Sequence, residues 1–209
     1  MYLPAAFEET RVEAIDALIR AHPFATLIVG GKEAPCVEHV PLLRDAEGRL
    51  RGHVAAGNAL AAADGAEVVA IFHGPQAYVS PNWYPSKHEN GRAVPTWNYA
   101  VVHLQGRLRV RREHAWLRAL LSELTDTFEA GQAQPWHVDD APADYVERLL
   151  GAIAGLEIEV DHVSAKFKLS QNHPAANRQG VIDGLRQRGQ GDDVALAGLM
   201  QAAMQGTQA

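Results

Sequence analysis

VPTWNYAVVHLQGRLRV, Val94 to Val110, is the stretch on which the fold turns, because it reads as one long strand. Successive side chains of a strand point to opposite faces. Trp97, Tyr99, Val101 and His103 therefore share one face, and Asn98, Val102, Leu104 and Leu108 share the other. Thr96 and Asn98 place polar groups on a face that turns apolar further along. Arg107, Arg109 and Arg111 fall on one side of the same strand and, with Arg112, form the one dense basic stripe.

Shorter strands precede it. Phe24 to Val29 (FATLIV) is a buried-strand run, and Cys36 to Leu43 (CVEHVPLL) a second, with Pro41 marking an edge or a bulge. A turn at Asp45 to Gly48 leads to a third, Leu50 to Ala55. Glu67 to Phe72 and Ala77 to Ser80 read as two strands broken by Gly74-Pro75. Leu156 to Leu169 is the last strand. Helical spacing marks Glu8 to Ala21, Ala59 to Asp64, Arg112 to Glu129, Tyr145 to Leu150, Asn177 to Arg188 and Val194 to Met204. Strands in a cluster, joined by short turns, predict a mainly β fold with helices (α+β), an antiparallel barrel with helices outside it. Regular strand–helix alternation is missing, which argues against a doubly wound parallel sheet. One domain over 1–188 and a helical extension over 189–209, after the glycines at 189 and 191, is the expected division.

Composition narrows the function classes. The chain has 209 residues, 47% hydrophobic and 21% charged, with a formal net charge of −6. That charge argues against nucleic acid as the main partner, since phosphate neutralisation supplies most non-specific affinity. No apolar run reaches the roughly 20 residues of a membrane helix. The start MYLPAAFEET lacks a basic segment followed by an apolar one, and the single Cys36 permits no internal disulfide, so a cytoplasmic protein is expected. Ten histidines are scattered without an HExxH pair, so no metal site is expected. GxSxG, Walker and GxGxxG motifs are absent, and no catalytic residue is assigned.

Just before the long strand lies YVSPNWYPSKHENGRAVPTWNY, residues 78–99, with two tryptophans, three tyrosines and three prolines. Such loops cap barrels or hold ligands, and composition leaves both readings open. Trp83, Lys87 and Arg92 are its candidate ligand groups. A polar patch at the mouth of an apolar face suits a flavin, whose ring needs an apolar slot and a few donors. Its phosphate needs Arg or Lys with hydroxyls or amides. At the end of the last strand, in AKFKLSQN, Lys166 and Lys168 share a face and fit either a phosphate or a solvated edge.

MYLPAAF, AIFHGPQAYVSPNWY, VPTWNYAVVHLQG, KFKLSQNHP and GVIDGL, in that order from Met1 to about Leu185, resemble the PaiB family of FMN-binding negative transcriptional regulators. The resemblance implies a split barrel of the flavin-reductase and pyridoxamine-phosphate-oxidase type, forming a homodimer with FMN in a cleft between subunits. It implies flavin-facing positions at His39, Val40 and Pro41, at His53 and the Ala55-Ala56-Gly57-Asn58 turn, and at Thr96, Trp97 and Asn98. Lys166 and Lys168 are implied to reach the site from the same or the partner chain. One turn departs from the family: after GHVAAGN a proline and then a tryptophan are usual, whereas ALAAADG stands here. The departure implies weak or lost FMN at that turn. Three functions follow from the resemblance: a repressor acting on DNA directly or through a partner protein, an FMN-dependent oxidoreductase, or a dimeric barrel without cofactor.

Overall fold

The structure is a computed structural model, described over residues 1–31 and 34–205, with 88–90 described by backbone alone. The side chain of His88, one of the scattered histidines, lies outside that description. The described residues form eight strands: β1 (Glu8–Glu9), β2 (Phe24–Val29), β3 (Cys36–Pro41), β4 (Leu43–Arg44), β5 (Leu50–Ala55), β6 (Glu67–Val79), β7 (Thr96–Arg111) and β8 (Ile153–Lys168). Their order is β3-β2-β6-β7-β8-β5-β4, with β1 beside β8. The β2–β3, β2–β6, β4–β5 and β5–β8 ladders are antiparallel. Six helices accompany the sheet: α1 (Val12–Ala21), α2 (Pro85–Asn90), α3 (His114–Glu129), α4 (Ala143–Leu150), α5 (Ala175–Arg188) and α6 (Asp193–Gln205). The expected antiparallel sheet with peripheral helices is the fold found.

Four local expectations are corrected. Glu8 and Glu9 are strand, not helix, because they pair with Lys166 and Ala165 of β8. The Glu9 carboxylate accepts from the backbone N–H and guanidinium of Arg11 at 2.9 and 2.6 Å, and the helix begins only at Val12. Gly74-Pro75 does not break β6. The β2 ladder ends at Ile71, so the N–H that Pro75 lacks is not needed on that side. Gly74 passes so near its neighbours that an added Cβ would lie 2.8 Å from Leu18 Cδ1. Leu42 separates β3 from β4, its N–H donating to the Pro23 carbonyl at 2.9 Å while its side chain is fully buried. The aromatic stretch, read as a loop, folds into a 3-10 turn at Pro81–Trp83 followed by α2.

The chain forms two compact units. One comprises Met1–Leu18, His73–Val102 and everything from Ser164 onward. Within it α5 and α6 pack together through buried Val181, Ile182, Leu185, Leu196, Ala197 and Met200. Arg188 clamps the helix junction, donating to buried Asp193 at 2.6 and 2.7 Å and to the Tyr78 carbonyl at 3.1 Å. The other unit comprises Ile19–Phe72 and His103–Val163. There α3 and α4 bury Leu117, Val146 and Leu150 against Val138, with Trp116 beside them.

Candidate functional site

A cavity of about 560 Å³ opens in the first unit, between the end of the aromatic loop, the start of β7 and the segment after β8. Tyr84, Arg92, Thr96, Asn98, Lys168 and Ser170 line it, joined by Asn172 and His173. Lys168 ends β8 and turns its ammonium back to β7, donating to Thr96 Oγ1 and, at 2.7 Å, to the Trp97 carbonyl. Burial, then the nearby Lys166 charge, lowers its pKa. Lys166 shares its face but serves another end. Its Nζ donates to the Tyr2 carbonyl at 3.1 Å and sits 5.6 Å from the Tyr2 and Tyr99 ring centres.

Asn98 is fully buried. Its Nδ2 donates to Ser170 Oγ at 2.8 Å and faces Met200 Sδ at 3.5 Å. Its Oδ1 has no hydrogen-bond partner among the described residues. Ser170 is held by the fold in an unusual way, with φ at 62°, the left-handed region that non-glycine residues rarely occupy. Such strain gathers at ligand sites. Tyr84 stacks on His173 with centroids 4.8 Å apart and planes 13° apart. Burial raises the Tyr84 phenol pKa, with Ser170 opposing, and burial followed by the Lys168 charge lowers that of His173.

Of the residues expected from sequence, Arg92, Thr96, Asn98 and Lys168 come together here. Trp97 presents its backbone to Lys168; the residue is 53% exposed, and its ring stands edge-on to Tyr78 at 6.4 Å. Trp83 lies under Arg188, whose guanidinium is 4.9 Å from the ring, and against Gly180 and Gly184 of α5. Lys87 donates to Asn82 Oδ1. His39, Val40, Pro41, His53, Ala55, Gly57 and Asn58 belong to the second unit. There His39 Nδ1 lies 3.2 Å from Thr26 Oγ1, and Val40 is core. Burial lowers the His53 pKa, and its Nδ1 has no partner among the described residues. Asn58 Oδ1 accepts from the Leu60 N–H at 2.9 Å, capping the 3-10 turn Ala59–Ala62 that stands where the family's proline is usual.

Tyr84 and His173 were not expected at the site. They lie far apart in sequence; Tyr84 falls in the aromatic stretch singled out above, but nothing local marks either ring as the partner of the other. Ser170 and Asn172 would continue the alternation of Lys166 and Lys168 only in a strand that ran on past them. β8 stops at Lys168, and the left-handed Ser170 brings its hydroxyl to Asn98 instead.

Residues 1–162 match the family described as "Putative FMN-binding domain". The protease synthase and sporulation protein PAI 2 of Bacillus subtilis is 31% identical over 208 residues, covering 96% of this chain and 97% of that protein. The chain belongs to the PaiB family. An uncharacterised protein of Emericella nidulans is 33% identical over 230 residues, covering 90% of this chain and 92% of its own. Among solved structures, the FAD and heme binding protein of Mycobacterium smegmatis superposes with a TM-score of 0.59 at 20% identity, over 82% of this chain and 78% of that one. The flavocytochrome Anf3 of Azotobacter vinelandii gives 0.57 at 17%, over 77% and 69%. At these identities the likeness is one of fold, and the PaiB chain is a split barrel.

FMN is the cofactor this family membership names, and the cavity suits part of it. Its volume falls within the roughly 300–1,000 Å³ of small-molecule sites. It joins a cation at Lys168 to an unpaired buried acceptor on Asn98 and a flat wall of Tyr84 on His173. The basic stripe, by contrast, is engaged internally. Arg107 donates to the Gly65 carbonyl, Arg109 pairs with Glu159, Arg111 with buried Glu157, and Arg112 donates to the Ala61 carbonyl. Among the described residues no three His, Cys, Asp or Glu side chains group as a metal site. No helix there is long and apolar enough to cross a membrane.

Proposed function

We propose that the chain is an FMN-binding regulator of gene expression that works as a homodimer in the cytoplasm. The carrying observation is the cavity in which Lys168, Thr96 and Asn98, three positions that the resemblance implies at the flavin, converge with the loop candidate Arg92. FMN, when bound, supplies reversible electron transfer and hence sensitivity to redox state. The protein's own part is to bind and orient it. Lys168 is fixed by Thr96 and the Trp97 carbonyl, and the Tyr84–His173 stack gives the cavity a rigid wall. The name of the Bacillus subtilis relative, protease synthase and sporulation protein, supports a regulatory role. Internal pairing of the Arg107–Arg112 stripe supports regulation through a partner protein over direct contact with DNA.

The dimer reading rests on the outward face of β2, β3 and β6. Phe24 and Val37 are 64% and 50% exposed, and the register sets Ile28 opposite Val37 and Val69. A second copy of the same face would cover this apolar surface. The cofactor reading is tested by incubating purified protein with FMN, desalting it, and recording absorbance at about 450 nm. Retained flavin, near one per chain, is the expected result. Colourless protein after desalting, with no quenching of flavin fluorescence on titration, would sink it.

A further inference from the structure

Given the FMN reading above, we infer that this cavity receives the pyrimidine edge of the isoalloxazine, with its imide N–H on Asn98 Oδ1 and a ring carbonyl on Lys168, and that the phosphate lies elsewhere. The argument starts from the Asn98 amide. Its Nδ2 faces Ser170 Oγ and Met200 Sδ. A thioether sulfur only accepts, so the amide cannot turn its carbonyl that way without setting two acceptors against each other. Oδ1 is thereby left buried and unpaired among the described residues. A buried acceptor of this kind is satisfied only by a donor.

A phosphate monoester near neutral pH carries close to two charges and offers almost only acceptors. Set beside Oδ1 it would leave that oxygen unpaired and repel it. Lys168 makes the opposite demand. Two of its three N–H groups are spent on Thr96 and the Trp97 carbonyl, which leaves one for an acceptor. Arg92, also in the wall, donates to a carbonyl or to an anion and does not discriminate between them. One donor and one acceptor on a flat ligand edge therefore match the cavity. The O=C–NH–C=O edge of a flavin carries both, and its phosphate does not.

The test uses the full chain and three probes, FMN, riboflavin and N3-methyl-FMN, titrated by quenching of flavin fluorescence. N3-methyl-FMN is expected to bind at least about tenfold more weakly than FMN, because the methyl removes the donor and leaves Oδ1 unpaired. Lys168→Met is expected to weaken FMN and riboflavin by the same factor, since both carry the same ring. Equal affinity for FMN and N3-methyl-FMN would overturn the inference while leaving the FMN reading intact. So would a Lys168→Met loss confined to FMN, which would assign Lys168 to the phosphate. Failure of the unaltered chain to bind FMN at all would remove both together.

Discussion

His173 stacks on Tyr84 near Lys168, and its surroundings disfavour the protonated ring. Its pKa in the folded chain lies below the ordinary 6.5, so the unfolded chain binds the proton first as pH falls. Stability is therefore intact above that value and is lost as pH drops from about 6.5 toward the folded pKa. Half-buried His53 acts with the same sign. His173→Phe keeps a ring against Tyr84 and removes one of the two groups. The fall in urea midpoint between about pH 7.5 and about pH 5.5 should shrink but not vanish. An unchanged fall would assign the whole effect to His53. Gly184 makes a second single-residue case. A Cβ there would lie 2.4–2.5 Å from three atoms of the Trp83 ring. Gly184→Ala should cost about 1–3 kcal/mol in urea unfolding, as overpacking of a filled contact does. No loss, or the gain of up to about 1 kcal/mol that Gly→Ala gives at an exposed helical position, would show that Trp83 is free to move away.

Strands β2 and β3 carry a prediction of their own. Phe24 and Val37 point outward from paired strands, with Ile28, Val69 and Ile71 on the same face. Phe24→Glu combined with Val37→Glu should convert the proposed dimer to monomer in analytical ultracentrifugation while leaving the far-ultraviolet spectrum unchanged. A mass that stays at twice the chain would place the dimer contact on another face. Sequence alternation made such faces readable. In β7 the fully buried positions Asn98, Ala100, Val102, Leu104 and Leu108 fall on the side that the spacing assigned to the interior. Punctuation was less dependable. Gly74-Pro75 looks like a break, yet β6 runs on through it, beyond the end of its ladder with β2. The site was legible where its groups sit on strands, as Thr96, Asn98 and Lys168 do. It was not legible at Tyr84 and His173, because a stacking contact between distant segments leaves no periodic trace.

At the scale of the whole molecule, charge decides what the chain can approach. A net charge of −6, with Arg109 and Arg111 already paired to glutamates, leaves little to release counterions from a duplex. Retardation of duplex DNA should be absent at about 0.15 M salt. Arg109→Ala should also leave any weak low-salt retardation unchanged. Sequence-specific retardation at that salt, lost in Arg109→Ala, would restore direct binding. The contact between Asn98 and Met200 carries a different consequence. The chain is made from its N-terminus, and the helix bearing Met200 is the last element of the described structure to emerge. Until it folds back, the amide of Asn98 has lost one of the two groups that hold it. A nascent chain stalled before residue 200 would thus carry every strand of its barrel while one of the two contacts that orient the Asn98 amide is still missing.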